Sequence, residues 1–274
     1  MGKYKSIEGV VLNIITILVL LITFLPLVWF LEISLKPPVL AFKIPPVWIF
    51  KPDFSNYVSI LREVSFIKSY LNTTIIALSA TGLTLLLSIP VAYTLARRNF
   101  KGKKIIGLLI LTSRMAPAMA FLIPFYMLCR ALGLLGTYLS AIIAYQTFTL
   151  AFVVWLMVGF FKSIPVELEE AAVIDGCTRI GVLLRIVLPL AKSGLASCTI
   201  ISFIWSWNQF FYPLVLLSAG KRPATMAIME YMGYTNVNWP GLAAASALVI
   251  LPILIFALLS QRELLRGLTA GAIK

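Results

Sequence analysis

The sequence predicts an all-α polytopic membrane protein with six transmembrane helices, on three observations. Apolar residues fill 61% of 274 positions and charged residues only 12%, for a mean hydropathy of +0.99. That balance leaves too little polar surface to enclose a water-soluble core. Six apolar runs, at about 10–33, 72–96, 105–129, 137–161, 193–218 and 242–260, each approach the roughly 20 residues a helix needs to cross the hydrocarbon. The charges collect between those runs, where loops reach water.

The first run follows Lys3 and Lys5 but is long for a signal sequence and precedes no small-x-small cleavage site, so it reads as a retained helix. Glu32 stands at its far end, within reach of interfacial water. Beyond it, Pro37, Pro38, Pro45, Pro46 and Pro52 forbid a continuous helix and favour an extended path. Asp53 or Ser55 then caps a short surface helix with Tyr57, Ile60, Leu61 and Val64 at helical spacing. The second run opens at Asn72 and ends in the basic cluster Arg97 to Lys104, which reads as a cytoplasmic anchor. Lys and Arg are richer at the N-terminus, in 97–104, in 162–192 and after Ser260 than in the alternate segments. The positive-inside bias therefore places both termini, and the 162–192 segment, in the cytoplasm. The net charge of +13 has the same origin and does not call for nucleic acid.

Inside the runs, a few polar side chains stand out. Arg114 lies about ten residues into the third run, near the bilayer midplane, where an ionised group serves either a solute path or a structural pairing with carbonyls or a neighbouring subunit. The fourth run brings Tyr145 and Gln146 together with Thr147 and Thr149, and the fifth groups Trp205, Trp207, Asn208, Gln209 and Tyr212. Aromatic faces beside amides suit a sugar, while the same residue types also serve as interfacial anchors and interhelical glue. Cys129, Cys177 and Cys198 form no disulfide or metal pattern. Histidine is absent, which removes the commonest general base; no catalytic or metal residue is assigned.

Between the fourth and fifth runs lies a polar segment of fixed spacing: Glu170-Ala171-Ala172, then Asp175-Gly176, then Ile186-Val187-Leu188-Pro189. Pro165 suits a first helical turn, and Glu167, Glu169 and Glu170 concentrate negative charge at its positive end. A short helix is expected from Pro165 to Asp175, Gly176 closes it with a left-handed cap, and a second segment from Thr178 to Leu188 stops before Pro189. The product is a bent knob. Ala171 and Ala172 leave their helix almost bare, as close approach to another protein requires.

This spacing resembles the EAA loop of membrane subunits of binding-protein-dependent ABC importers, and it fits without a gap. The segment Arg266-Gly267-Leu268-Thr269-Ala270-Gly271-Ala272-Ile273-Lys274 is similar to the end of permeases of the carbohydrate branch related to the maltose system. Weaker patches extend the likeness along the chain: Asn72, Ala92-Tyr93, Met115-Ala116-Pro117, Pro124, Leu132-Gly133-Leu134 and Trp207-Asn208. Cys177 stands where the family often has alanine, and Ile180 and Leu183 where aromatic residues are common.

The resemblance implies a type I ABC importer permease fold. Residues 1–71 would be an N-terminal helix and extracytoplasmic segment, 72–260 the permease core with its coupling loop at 162–192, and 261–274 a cytoplasmic tail. Glu170, Ala171, Ala172, Asp175, Gly176, Ile186, Leu188 and Pro189 would dock on a separate ATPase, and Gly267, Leu268, Thr269 and Gly271 would touch it from the tail. The chain would work in a bacterial or archaeal inner membrane with a second homologous permease, two ATPase subunits and an extracytoplasmic solute-binding protein. The expected cargo is a mono- or oligosaccharide, with a polyol or glycerol phosphate as the alternative. No G-x-x-x-x-G-K-[ST] loop occurs in the sequence, so ATP and magnesium are expected on the partner. An ion-coupled secondary transporter would carry inverted repeats and membrane-buried carboxylates. Here the acidic residues fall in loops or at helix ends, and no repeat is visible.

Overall fold

The computed structural model describes residues 2–113, 115, 117–233 and 237–270. They form a helical protein in the order α1 (Gly2–Ser34), a 3-10 turn (Pro38–Leu40), α2 (Ser55–Arg62), α3 (Val64–Arg97), α4 (Lys103–Ser113), α5 (Ala118–Ala131) and α6 (Tyr138–Ser163). There follow α7 (Glu167–Ile174), α8 (Arg179–Val182), a π turn (Leu183–Val187), α9 (Leu188–Leu190), α10 (Lys192–Trp207) and α11 (Phe211–Leu216). A 3-10 turn (Ala219–Lys221), α12 (Ala224–Ala227), a second such turn (Ile228–Tyr231) and α13 (Trp239–Ala270) complete the chain. Two compact units emerge, one of residues 1–67 with 228–250 and the other of 68–227 with 251–274.

Among the described residues, four helices are long and apolar enough to cross a membrane: Gly9–Ser34, Val64–Arg97, Tyr138–Ser163 and Trp239–Leu258. The other two expected spans are interrupted, one at a proline and one just ahead of a proline. The run 105–129 was expected as one helix, yet α4 ends at Ser113 and α5 starts after Pro117, whose φ of −59° and ψ of 131° break the helical path. The run 193–218 breaks after Trp207; Pro213 lacks an N–H to continue α10 but fits the first turn of α11. α13 stays helical to Ala270, past the end of its apolar span at Leu258.

In the first unit, the proline-rich segment folds around a buried lysine. Lys36 pairs with Glu32 at 2.7 Å and lies 5.3 Å from the Phe50 ring centroid and 5.9 Å from that of Trp48. Glu32, expected merely to meet water, thus neutralises a cation that is only 3% exposed. Ser34 and Tyr57 share a hydrogen bond of 2.6 Å, and the Asp53 N–H donates to the Leu35 carbonyl. The Asp53 carboxylate accepts from the Ser55 N–H at the start of α2, and that bond lowers its pKa. Tyr231 donates to Glu63 at 2.9 Å. Residues 10–29 of α1 are apolar on nearly every side and exposed in this chain, as a lipid-facing helix is.

The second unit is held by small residues and buried hydroxyls between helices. Ala77 and Ala80 of α3, Ala141 and Ala144 of α6, and Gly194 of α10 allow close backbone approach. At Gly194 a β-carbon would fall 2.4 Å from the Phe160 ring of α6. Thr84 of α3 bonds both Gln146 (2.8 Å) and Thr149 (2.9 Å) of α6, while the Gln146 amide donates to the Ala80 and Ile142 carbonyls. At the start of this unit Asn72, only 3% exposed, donates to the Gly220 and Arg222 carbonyls and accepts from Tyr138.

Candidate functional site: a bent knob between two spanning helices

The connection from α6 to α10 is built residue by residue as the local chemistry requires. Glu167, Glu169 and Glu170 occupy the first turn of α7, where the helix dipole favours negative charge. Asp175 caps its C-terminus, and Gly176 follows with φ of +85°, a left-handed conformation that costs a residue with a β-carbon about 1–2 kcal/mol. The Gly176 N–H bonds the Val173 carbonyl and the Cys177 N–H bonds that of Ala172, which together close a Schellman cap. Thr178 then starts α8, its hydroxyl accepting from the Gly181 N–H at 3.2 Å.

The second arm does not stop before Pro189, as the sequence suggested. It runs on to Leu190, because the turn ahead of the proline widens: the Leu188 N–H reaches back to the Leu183 carbonyl. A π turn at this point makes room for a ring that would otherwise collide with the carbonyl four residues earlier. At Ala191 the chain then bends by 82° into α10.

This knob has two chemically different faces. Ala172, Val182, Val187 and Ala191 are buried in one core with Ala92 and Leu95 of α3 and Val153, Val154, Met157 and Phe161 of α6. The outer face leaves Glu170, Ala171, Asp175, Gly176 and Pro189 exposed, beside Leu168, Ile174, Ile180 and Leu184. Ile174 is 85% and Ile180 72% exposed, a high value for large aliphatic side chains on a loop that the fold holds in place. The E-A-A triplet is therefore divided: Glu170 and Ala171 face outward, while Ala172 is seated in the chain's own core. Ile186 and Leu188 are half-buried against that core.

Sequence reasoning missed the polar anchor of the knob. Glu169, 7% exposed, accepts from the Arg97 Nε at 2.6 Å with one oxygen and from the Tyr93 hydroxyl at 2.6 Å with the other. The Arg97 Nη2 also donates to the Ile164 carbonyl at the end of α6. Arg97, expected to be one more residue of a basic cluster, is thus committed to a specific contact. Seventy-two positions separate it from Glu169, and nothing local along the chain announces the pair.

The residues considered for a solute path are distributed differently. Tyr145, Trp207 and Tyr212 are each no more than 2% exposed. Tyr212 bonds Thr147 and stacks near Phe148, and Trp207 meets Tyr70 and Phe203 edge-on or tilted. Gln146 is engaged by Thr84 as described. Trp205 is half-buried against Phe152 at 4.7 Å between centroids, Gln209 is half-buried, and Asn208 is exposed. Gly267, Leu268 and Thr269 lie on the last turns of α13, while Arg114 and Gly271 fall outside the described residues.

Long apolar helices, two interrupted spans and a bent, outward-facing knob tied to the ends of α3 and α6 define a polytopic membrane transport subunit. The chain belongs to the family of binding-protein-dependent transport system inner membrane components, whose model matches residues 86–269. It is accordingly an ABC importer permease, a multi-pass inner membrane protein. It is 35% identical to the sulfoquinovosyl glycerol transport system permease protein SmoH of Agrobacterium fabrum, over 100% of this chain and 97% of that one. It is 34% identical to the trehalose transport system permease protein SugB of Mycobacterium tuberculosis, over 91% of this chain and 92% of that one. Among solved structures, a chain of a bacterial ABC transporter involved in alginate import is similar, with a TM-score of 0.81 and 27% identity over 94% of this chain and 96% of that chain.

Proposed function

We propose that this chain forms half of the membrane pathway of an ATP-driven importer of a sugar or sugar conjugate, and takes its drive from a separate ATPase through the knob at 165–190. The observation that carries this reading is the two-faced knob. Its inner face is fixed to α3 and α6, and its outer face presents Glu170, Ala171, Ile174 and Ile180 to a partner. Relatives named for sulfoquinovosyl glycerol, trehalose, trehalose/maltose and diacetylchitobiose support the cargo class.

In this mechanism a second permease completes the pathway and a solute-binding protein delivers the cargo on the outer side. Nucleotide and magnesium bind the ATPase pair, since the sequence carries no phosphate-binding loop. Closure of that pair displaces both docked knobs and switches the cavity from inward- to outward-facing, a rigid-body transition. The termini and the knob lie in the cytoplasm, as the distribution of Lys and Arg favours. Solute contact falls to the exposed Asn208 and the half-buried Trp205 and Gln209, with Arg114 as a further candidate; the tail residues Gly267, Leu268, Thr269 and Gly271 add a second ATPase contact. Tyr145, Trp207 and Tyr212, which are buried, and Gln146, which is bonded to Thr84, serve to hold the helices together. Purifying the chain with its membrane partners and measuring uptake of radiolabelled sugars tests the proposal. Retention of a nucleotide-hydrolysing subunit and ATP-dependent uptake are expected; ion-driven uptake by the chain alone would refute it.

A further inference from the structure

We infer that Arg97, Tyr93 and Glu169 form a latch that makes the knob and α3 move as one body, so that ATPase closure is converted into helix movement rather than dissipated in a loose loop. The inference rests on the coupling role proposed above for the knob, and it assigns positioning roles to three residues outside the E-A-A motif.

The apolar core beneath the knob cannot by itself provide this. Contacts within the core that holds Ala172, Val182 and Phe161 are non-directional, and a short helix of eight residues seated only on them is free to roll or slide by a fraction of a turn. Glu169 removes that freedom because its two oxygens are held by different donors, Arg97 Nε and the Tyr93 hydroxyl, both at 2.6 Å. The donors stand four residues apart on α3, one turn of helix, so the carboxylate fixes both the position and the rotation of α7. Arg97 extends the latch by donating its Nη2 to the Ile164 carbonyl at 2.8 Å, which ties in the end of α6. Tyr93 is steadied in turn by an edge-on contact with Phe161 at 5.9 Å.

Location adds to the case. The Arg97 and Glu169 side chains are only 11% and 9% exposed, so their attraction is weakly screened and an unpaired partner is costly. Among the described residues this is the ion pair that joins the knob to a long spanning helix. The neighbouring carboxylates Glu167, Glu170 and Asp175 are all exposed and stay available to a partner's surface. Adjacent glutamates thus divide the work: Glu169 grips the chain's own helix, and Glu170 faces outward.

The test uses the complete transporter, with both permeases, the ATPase pair and the binding protein, reconstituted in liposomes. The readout is the number of ATP molecules hydrolysed per sugar delivered, for Glu169→Gln, Arg97→Gln, Arg97→Lys, Tyr93→Phe, Arg97→Glu, Glu169→Arg and the exchange that combines the last two. The latch predicts that ATP consumed per sugar rises at least about fivefold in Glu169→Gln and Arg97→Gln. Arg97→Lys and Tyr93→Phe should fall between these and the wild type, and the exchange should recover part of the loss of its single members. A purely architectural role would lower the amount and melting temperature of the complex but leave this ratio unchanged. An unchanged ratio in assembled Glu169→Gln and Arg97→Gln complexes overturns the inference. Should those two fail to assemble, Tyr93→Phe, which loses one hydroxyl, decides by the same ratio. If the wild-type chain itself retains no ATPase, the coupling role falls first; a coupled wild type with indifferent variants refutes the latch alone.

Discussion

Replacing Ile174 and Ile180 by alanine measures how much of the knob's outer face is used in docking. Each substitution removes three carbons, and a buried methylene contributes about 0.8 kcal/mol. Ile174 has 85% of its surface free to be covered by a partner and Ile180 has 72%. Full burial in a socket would therefore contribute about 2 kcal/mol at Ile174 and about 1.7 kcal/mol at Ile180 relative to alanine. In affinity these are about 30-fold and about 20-fold, and the double variant approaches about 500-fold if the two sites act independently. The assay is titration of the isolated ATPase against the permease pair in lipid nanodiscs, with melting of the permease pair as a control. Both isoleucines face away from the chain's core, so the melting temperature should hold while affinity falls. Val182, 1% exposed in the inner face, supplies the opposite control: Val182→Ala should lower the melting temperature by destabilising the knob itself. Wild-type affinity in the double variant, with melting unchanged, would refute the docking face drawn here.

Three further outcomes are expected. Gly176→Pro cannot adopt φ of +85° and deletes the N–H that bonds Val173, so solute-stimulated ATP hydrolysis should drop to the unstimulated rate while the protein stays in the membrane. Gly194→Val should destabilise the second unit by about 1–3 kcal/mol through collision with the Phe160 ring, seen as a lower melting temperature that Phe160→Ala in the same chain partly restores. Burial, then the bond and charge of Glu63, raise the Tyr231 pKa above that of an ordinary phenol. The unfolded phenol ionises first, so this contribution to stability is complete at neutral pH and declines as pH rises beyond about 10. Tyr231→Phe should flatten that alkaline decline in a pH series of melting temperatures.

The all-helical class and the two-armed build of the knob were legible in the sequence because each rests on local chemistry. Apolar length sets a span, glycine permits a left-handed cap, and acidic residues favour a helix start. The left-handed Gly176 and the Thr178 cap stand where that chemistry puts them. Inside the spans, hydropathy makes continuous what the backbone divides, at Pro117 between α4 and α5 and at residues 208–210, ahead of Pro213, between α10 and α11.

Whatever depends on which distant residues meet was decided by the tertiary structure alone. The sequence determined that the chain crosses a membrane and carries a bent polar segment between two spans, since hydropathy and backbone preference act over a few residues. It could not determine that Ala172 turns inward while Ala171 faces out, or that Tyr145 and Trp207 are packed inside the chain. Nor could it pair Glu169 with Arg97. Each of those outcomes follows from packing between elements far apart in the chain, α3 and α6 with the knob for Ala172 and Glu169, α3, α6 and α10 for Tyr145 and Trp207, and a buried charge finds its counterion across space, wherever along the chain that partner happens to lie.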